Sequence, residues 1–69
     1  MIVKVAPIGE RVVEVNVDSG STVALILAIA EVQENGRTIS VNNVSATMDT
    51  AVTSENAVIL LAGKMKGGV

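Results

Sequence analysis

The side-chain chemistry open to this 69-residue chain is narrow: seven carboxylates, five cations, and neither histidine nor cysteine. Without histidine, the usual general acid–base and the commonest transition-metal ligand are missing. Without cysteine there is no thiolate nucleophile, no disulfide and no sulfur-ligated zinc or cluster. Phe, Tyr and Trp are absent too, which removes any stacking platform for single-stranded nucleic acid. The cations are Lys4, Arg11, Arg37, Lys64 and Lys66, and the net charge of −2 is too acidic for a general phosphate-backbone binder. Glu10 and Glu14 lie close in sequence but read as solvated hairpin carboxylates. Asp49 and Glu55 fall among turn residues, where capping outweighs metal binding. Gly63 and the glycines after it do not follow a strand and open a helix, so they form no phosphate loop. The chain is therefore not expected to be an enzyme in its own right or to hold a cofactor. Function is expected from its surface or its backbone.

Whatever acts must be positioned by a core without aromatics. Thirty-four residues are apolar, and Val and Ile outnumber Leu by 19 to 4. Branched side chains suit a pleated, half-buried surface, so this excess favours a sheet, and a sheet needs a cover. Residues 1–6 alternate as a strand, 7–10 turn at Pro7 and Gly9, and 11–17 form a second strand. Ser21 or Thr22 can cap a helix expected over 22–33, with Asn35 and Gly36 closing it. Its residues Val23, Ile26, Leu27 and Ala30 would face the sheet. A second stripe, Leu25, Ile29 and Val32, leaves the helix apolar nearly all round. Either loops bury that stripe, or it meets a partner, weak self-association included. Residues 38–41 and 44–46 read as strands joined by a type I′ turn at Asn42 and Asn43. Residues 48–56 read as irregular loop, and 57–62 as a final strand apolar throughout. The order implies an α+β sheet with one helix across one face and the first and last strands parallel neighbours.

Several stretches in that order carry a resemblance. Val13-Glu14-Val15-Asn16-Val17 followed by Asp18-Ser19-Gly20-Ser21-Thr22-Val23 resembles the first half of ubiquitin-like β-grasp proteins. Ile39-Ser40-Val41-Asn42-Asn43 is similar to their strand-and-turn, and residues 56–61 followed by Lys64-Met65-Lys66-Gly67-Gly68 to their last strand and tail. The nearest subgroup is the small prokaryotic sulfur carriers of thiamin and molybdopterin synthesis and related ubiquitin-like modifiers. The resemblance spans almost the whole chain. It implies a four- to five-stranded mixed sheet with one helix in residues 1–62, and a functional tail in residues 63–69.

The resemblance also implies a chemistry. In that family the carboxylate of a terminal glycine is adenylated by a partner enzyme, then becomes a thiocarboxylate or an isopeptide bond to a lysine. Gly67 and Gly68 would form that acyl-carrying terminus. A side-chain-free end suits entry into a narrow site, and six or so extended residues reach about 20 Å. Val69 departs from the pattern, since the family ends on the second glycine. The Gly68–Val69 bond would then be a processing site for a peptidase. Lys64, Met65 and Lys66 would guide the tail. Ile59 and Leu61 would meet the partner on the open sheet face if Val58 and Leu60 point inward; the opposite phase stays open, because the strand is apolar throughout. The alternative is a small β-grasp interaction or assembly protein that is never conjugated. The longest apolar run, residues 23–30, falls short of the roughly 18–20 a bilayer needs, and no basic segment precedes it. No membrane or nucleic-acid partner is expected, and a cytoplasmic location is the default expectation.

Overall fold

The computed structural model describes residues 1–34 and 36–62. Asn35 and the tail residues Gly63, Lys64, Met65, Lys66, Gly67, Gly68 and Val69 lie outside the described residues, and every tail assignment falls there; the helix closure expected at Asn35 and Gly36 occurs instead at Glu31.

Strand β1 (Ile2–Pro7) and strand β2 (Val13–Asn16) pair antiparallel, with Lys4 opposite Glu14 and Val5 opposite Val13. The strand β1 runs one residue past the expected boundary, because proline is tolerated where a strand ends. Glu10 N–H then donates to the Pro7 carbonyl at 3.1 Å, and Gly9 supplies the positive φ the turn requires. Arg11 and Val12, expected within β2, lie before its ladder.

Two residues, Ser21–Thr22, form β3, which pairs with a second short strand, Ala51–Val52. Neither was expected, since two residues give no alternation to read. Thr22 caps helix α1 (Val23–Ala30): its side chain accepts from Leu25 N–H at 3.3 Å. Ser21 instead donates its hydroxyl to the Asp18 carbonyl at 2.7 Å.

The helix ends three residues before the expected boundary. Glu31 takes a left-handed conformation at φ 60°, and its N–H donates to Ala28 O. Val32 N–H reaches back to Leu27 O at 3.0 Å. Together these are a Schellman closure, in which the residue after the left-handed position packs back on the last turn. Val32 is accordingly half-buried against the core. The expected outer stripe of Leu25, Ile29 and Val32 therefore shrinks to Leu25 and Ile29, each half exposed.

Strands β4 (Thr38–Val41) and β5 (Val44–Ala46) meet through Asn42 and Asn43, both at positive φ, as a type I′ turn demands. The short strand paired with β3 is β6 (Ala51–Val52), and the last strand is β7 (Ala57–Ala62). The main sheet has the order β2-β1-β7-β4-β5, with β7 parallel to β1 and antiparallel to β4. This is the five-stranded mixed sheet with one helix across it, a β-grasp fold.

The core lies between sheet and helix. Val3, Val5, Ile39, Ile59 and Leu61 from the sheet meet Val23, Ile26 and Leu27 from the helix, and Val52 closes one side. No polar or charged residue is buried among the described residues. Ile59 and Leu61 are fully enclosed, which corrects the partner-binding role expected for them. The phase of β7 is set by its neighbour. Ile59 sits opposite Val5, while Val58 sits opposite Lys4. Lys4 must keep its ammonium in water, so Val58 and Leu60 share its open face. Each core side chain so enclosed contributes about 1.5–3 kcal/mol through lost apolar exposure.

Candidate functional site

Two regions stand out around the central strand: the point where β7 ends, and the open face it shares with β1 and β4. Both follow from one fact, that the last strand sits between the first and the fourth.

At its end, β7 is gripped from both sides. Ile8 N–H donates to Leu61 O at 2.9 Å, and Thr38 pairs with Ala62. Beyond β1, Glu10 Oε2 accepts from Arg37 Nη2 at 2.7 Å, and Arg37 immediately precedes β4. Glu10 follows β1 and Arg37 precedes β4, so the ion pair links the two strands that flank β7 at its Leu61–Ala62 end. The Arg37 side chain is only 13% exposed, while that of Glu10 is 54% exposed. Arg37 Nη1 is buried and finds no acceptor among the described residues. It is the one buried side-chain polar atom without a hydrogen-bond partner among the described residues. Sequence reading counted Arg37 only as a charge. Its partner lies 27 residues away, and no local pattern links them.

Across the open face, Lys4 and Glu14 approach at 3.9 Å, both well exposed. A pair so wet contributes about 0–1 kcal/mol. Next to Lys4, Val58 is 38% exposed and Leu60 half-buried. Asn42 fastens the turn to this row: its N–H donates to Val58 O and its Oδ1 accepts from Val58 N–H, each at 3.0 Å. Asn42, Asn43, Val58 and Leu60 line a depression of about 400 Å³. Its floor is apolar and its rim carries amides, a surface suited to receiving an apolar side chain of another protein.

Compared with known proteins, the chain matches no family model, and no curated protein or solved structure matches it significantly. Function must therefore be argued from the chain's own residues and topology.

The remaining carboxylates are separated by the fold. Glu10 holds Arg37 and Glu14 faces Lys4, so the two do not converge. Glu55 Oε2 accepts from Ile2 N–H at 3.1 Å, tying the loop before β7 to β1. Asp49 N–H donates to Thr47 Oγ1 at 3.3 Å in a tight turn. No set of three metal-ligating side chains gathers among the described residues, and no helix there is long and apolar enough to cross a membrane.

Proposed function

We propose that the protein is a ubiquitin-like carrier or modifier, the reading its β-grasp topology supports best. One observation carries it: the strand from which residues 63–69 continue is the central strand. Its last described residues, Leu61 and Ala62, lie between the two strands that the Arg37–Glu10 pair links, and Val58 and Leu60 stand on its open face. Hydrolysis of the Gly68–Val69 bond by a processing peptidase would expose the Gly68 carboxylate. A partner enzyme would then join that carboxylate to the α-phosphate of ATP, releasing pyrophosphate. A sulfur donor displacing AMP would leave a thiocarboxylate; a lysine amine displacing it would leave an isopeptide bond. Gly67 has no side chain to obstruct either approach. Lys64, Met65 and Lys66 would guide the segment. The partner would rest on Val58 and Leu60, in place of Ile59 and Leu61, and such chemistry fits a cytoplasmic protein meeting an ATP-using enzyme.

The experiment is intact mass spectrometry after expression beside the native neighbouring genes. Loss of Val69 followed by the increment for sulfur replacing oxygen, or by a conjugate, is the expected result. A chain that keeps Val69, and whose cellular role is untouched by Gly68→Ala, overturns the proposal.

A second reading has its own support in the half-exposed Leu25 and Ile29, one helical turn apart on α1. On that reading the domain is a small unconjugated interaction or assembly module, self-associating weakly through the helix. Sedimentation that depends on concentration and is abolished by Leu25→Lys distinguishes it.

A further inference from the structure

Strands β5 and β6 both line one groove, and the main-chain groups of Ser45 and Ala51 carry no ladder bond there. Val41 and Val44 flank a two-residue turn and therefore exchange both of their ladder bonds. The next pair, Ser40 and Ser45, points its N–H and C=O groups away from one another. For Ser45 that direction is outward, since β5 is the sheet edge. On the other side, Val23 N–H donates to Thr50 O and Gly20 N–H to Val52 O. Ala51, between those two carbonyls, turns its own N–H and C=O away from β3. Ser45 and Ala51 both line a groove of about 270 Å³. Val44 at its side is 67% exposed, the highest exposure of any large apolar residue among the described residues.

Among the described residues that line the groove none is ionisable; Thr50, Thr53 and Ser54 supply hydroxyls, and Val44 and Ala51 supply apolar surface. We propose that it receives an extended, uncharged segment of a partner protein as an added strand between β5 and β6. Free donors and acceptors on both walls select an extended main chain over a folded surface. A charged residue placed there would lose water and gain no counter-charge. Small or β-branched residues fit against Val44, with hydroxyl-bearing residues alternating. A second copy of this chain is a poorer occupant. Pairing β5 with β5 offers one free residue on each side, far short of the roughly 1,200 Å² that a stable interface buries. The other edge, β2, differs in kind, because Glu14 stands on it. This surface is independent of the tail chemistry proposed above.

The test uses the isotopically labelled protein and a capped heptapeptide of alternating threonine and valine, with valine–lysine and valine–glutamate versions for comparison. Saturable shifts and slowed hydrogen exchange at the Ser45 and Ala51 amides are expected, about tenfold weaker for either charged peptide. Ser45→Pro and Ala51→Pro delete donors that carry no ladder bond, and each should weaken binding by about tenfold or more. Should a proline variant fail to fold, Val44→Asp keeps every main-chain group and should shift preference to the valine–lysine peptide. Three results overturn the proposal: no saturable change at Ser45 and Ala51, changes confined to the β2 edge, or the same changes on concentrating the protein without peptide.

Discussion

Glu31 ends the helix at φ 60°, a conformation in which Cβ crowds the following carbonyl. Glycine there escapes that contact at the cost of a looser unfolded chain. Glu31→Gly is therefore expected to stabilise the domain by about 0.5–1 kcal/mol, read as a raised denaturant midpoint at constant slope. The Arg37–Glu10 bridge should show the opposite response. Arg37→Ala removes a largely buried side chain and a charge-assisted bond, and should cost about 1.5–3 kcal/mol. Glu10→Gln keeps an acceptor, so it should cost under about 1 kcal/mol. Equal costs for the two would mean that the ion pair carries the whole effect and the packing of Arg37 adds nothing; paired denaturation curves decide it.

Among the elements, β7 separates two functions by parity. Leu61→Ala empties a fully enclosed site and should cost about 2–5 kcal/mol. Val58→Asp, on the wet face, should change stability by under about 1 kcal/mol while abolishing capture of the partner enzyme. Thermal melts alongside co-purification separate these outcomes. The strand itself was legible from residues 57–62, and so was its parallel pairing with β1. Its phase was not legible from β7 alone, because six apolar residues carry no alternation. The decisive signal lay in β1, where Lys4 between Val3 and Val5 marks the solvent face; it becomes usable once the register is known. The helix end was misread for a related reason. Val32 looks helical by spacing, yet a left-handed Glu31 lets it serve the core as well from outside the helix. Strands β3 and β6 left no trace in composition, since only tertiary contact makes two residues a strand. The acceptor-poor Arg37 was invisible for the same cause: it acquires its partner when β1 and β4 close around β7.

At the scale of the molecule, an all-aliphatic core explains how a chain without aromatic rings still covers one face of its helix. Val, Ile and Leu from the sheet meet Val, Ile and Leu from the helix and fill the layer between them. Reactivity, if the proposal holds, resides in a main-chain carboxylate, and the globular part serves to present it. Swapping the order of presentation should therefore matter more than altering any single side chain. A rearranged chain that places residues 57–62 before residue 1 through a linker, and attaches residues 63–69 after Asn56, keeps the strand pairings but detaches that segment from β7. It should fold yet yield no thiocarboxylate or conjugate in the mass experiment, whereas a presentation-independent tail would react in both forms.

The central place of β7 has one more consequence. Until it inserts, the β1–β2 and β4–β5 hairpins have no strand in common, and the sheet exists as two halves. The element that joins them is also the one from which residues 63–69 continue. A chain that has not finished folding therefore lacks the platform at the base of that segment. If the chain is charged as proposed, an enzyme that recognises residues 63–69 together with the sheet at their base would charge finished molecules and pass over incomplete ones.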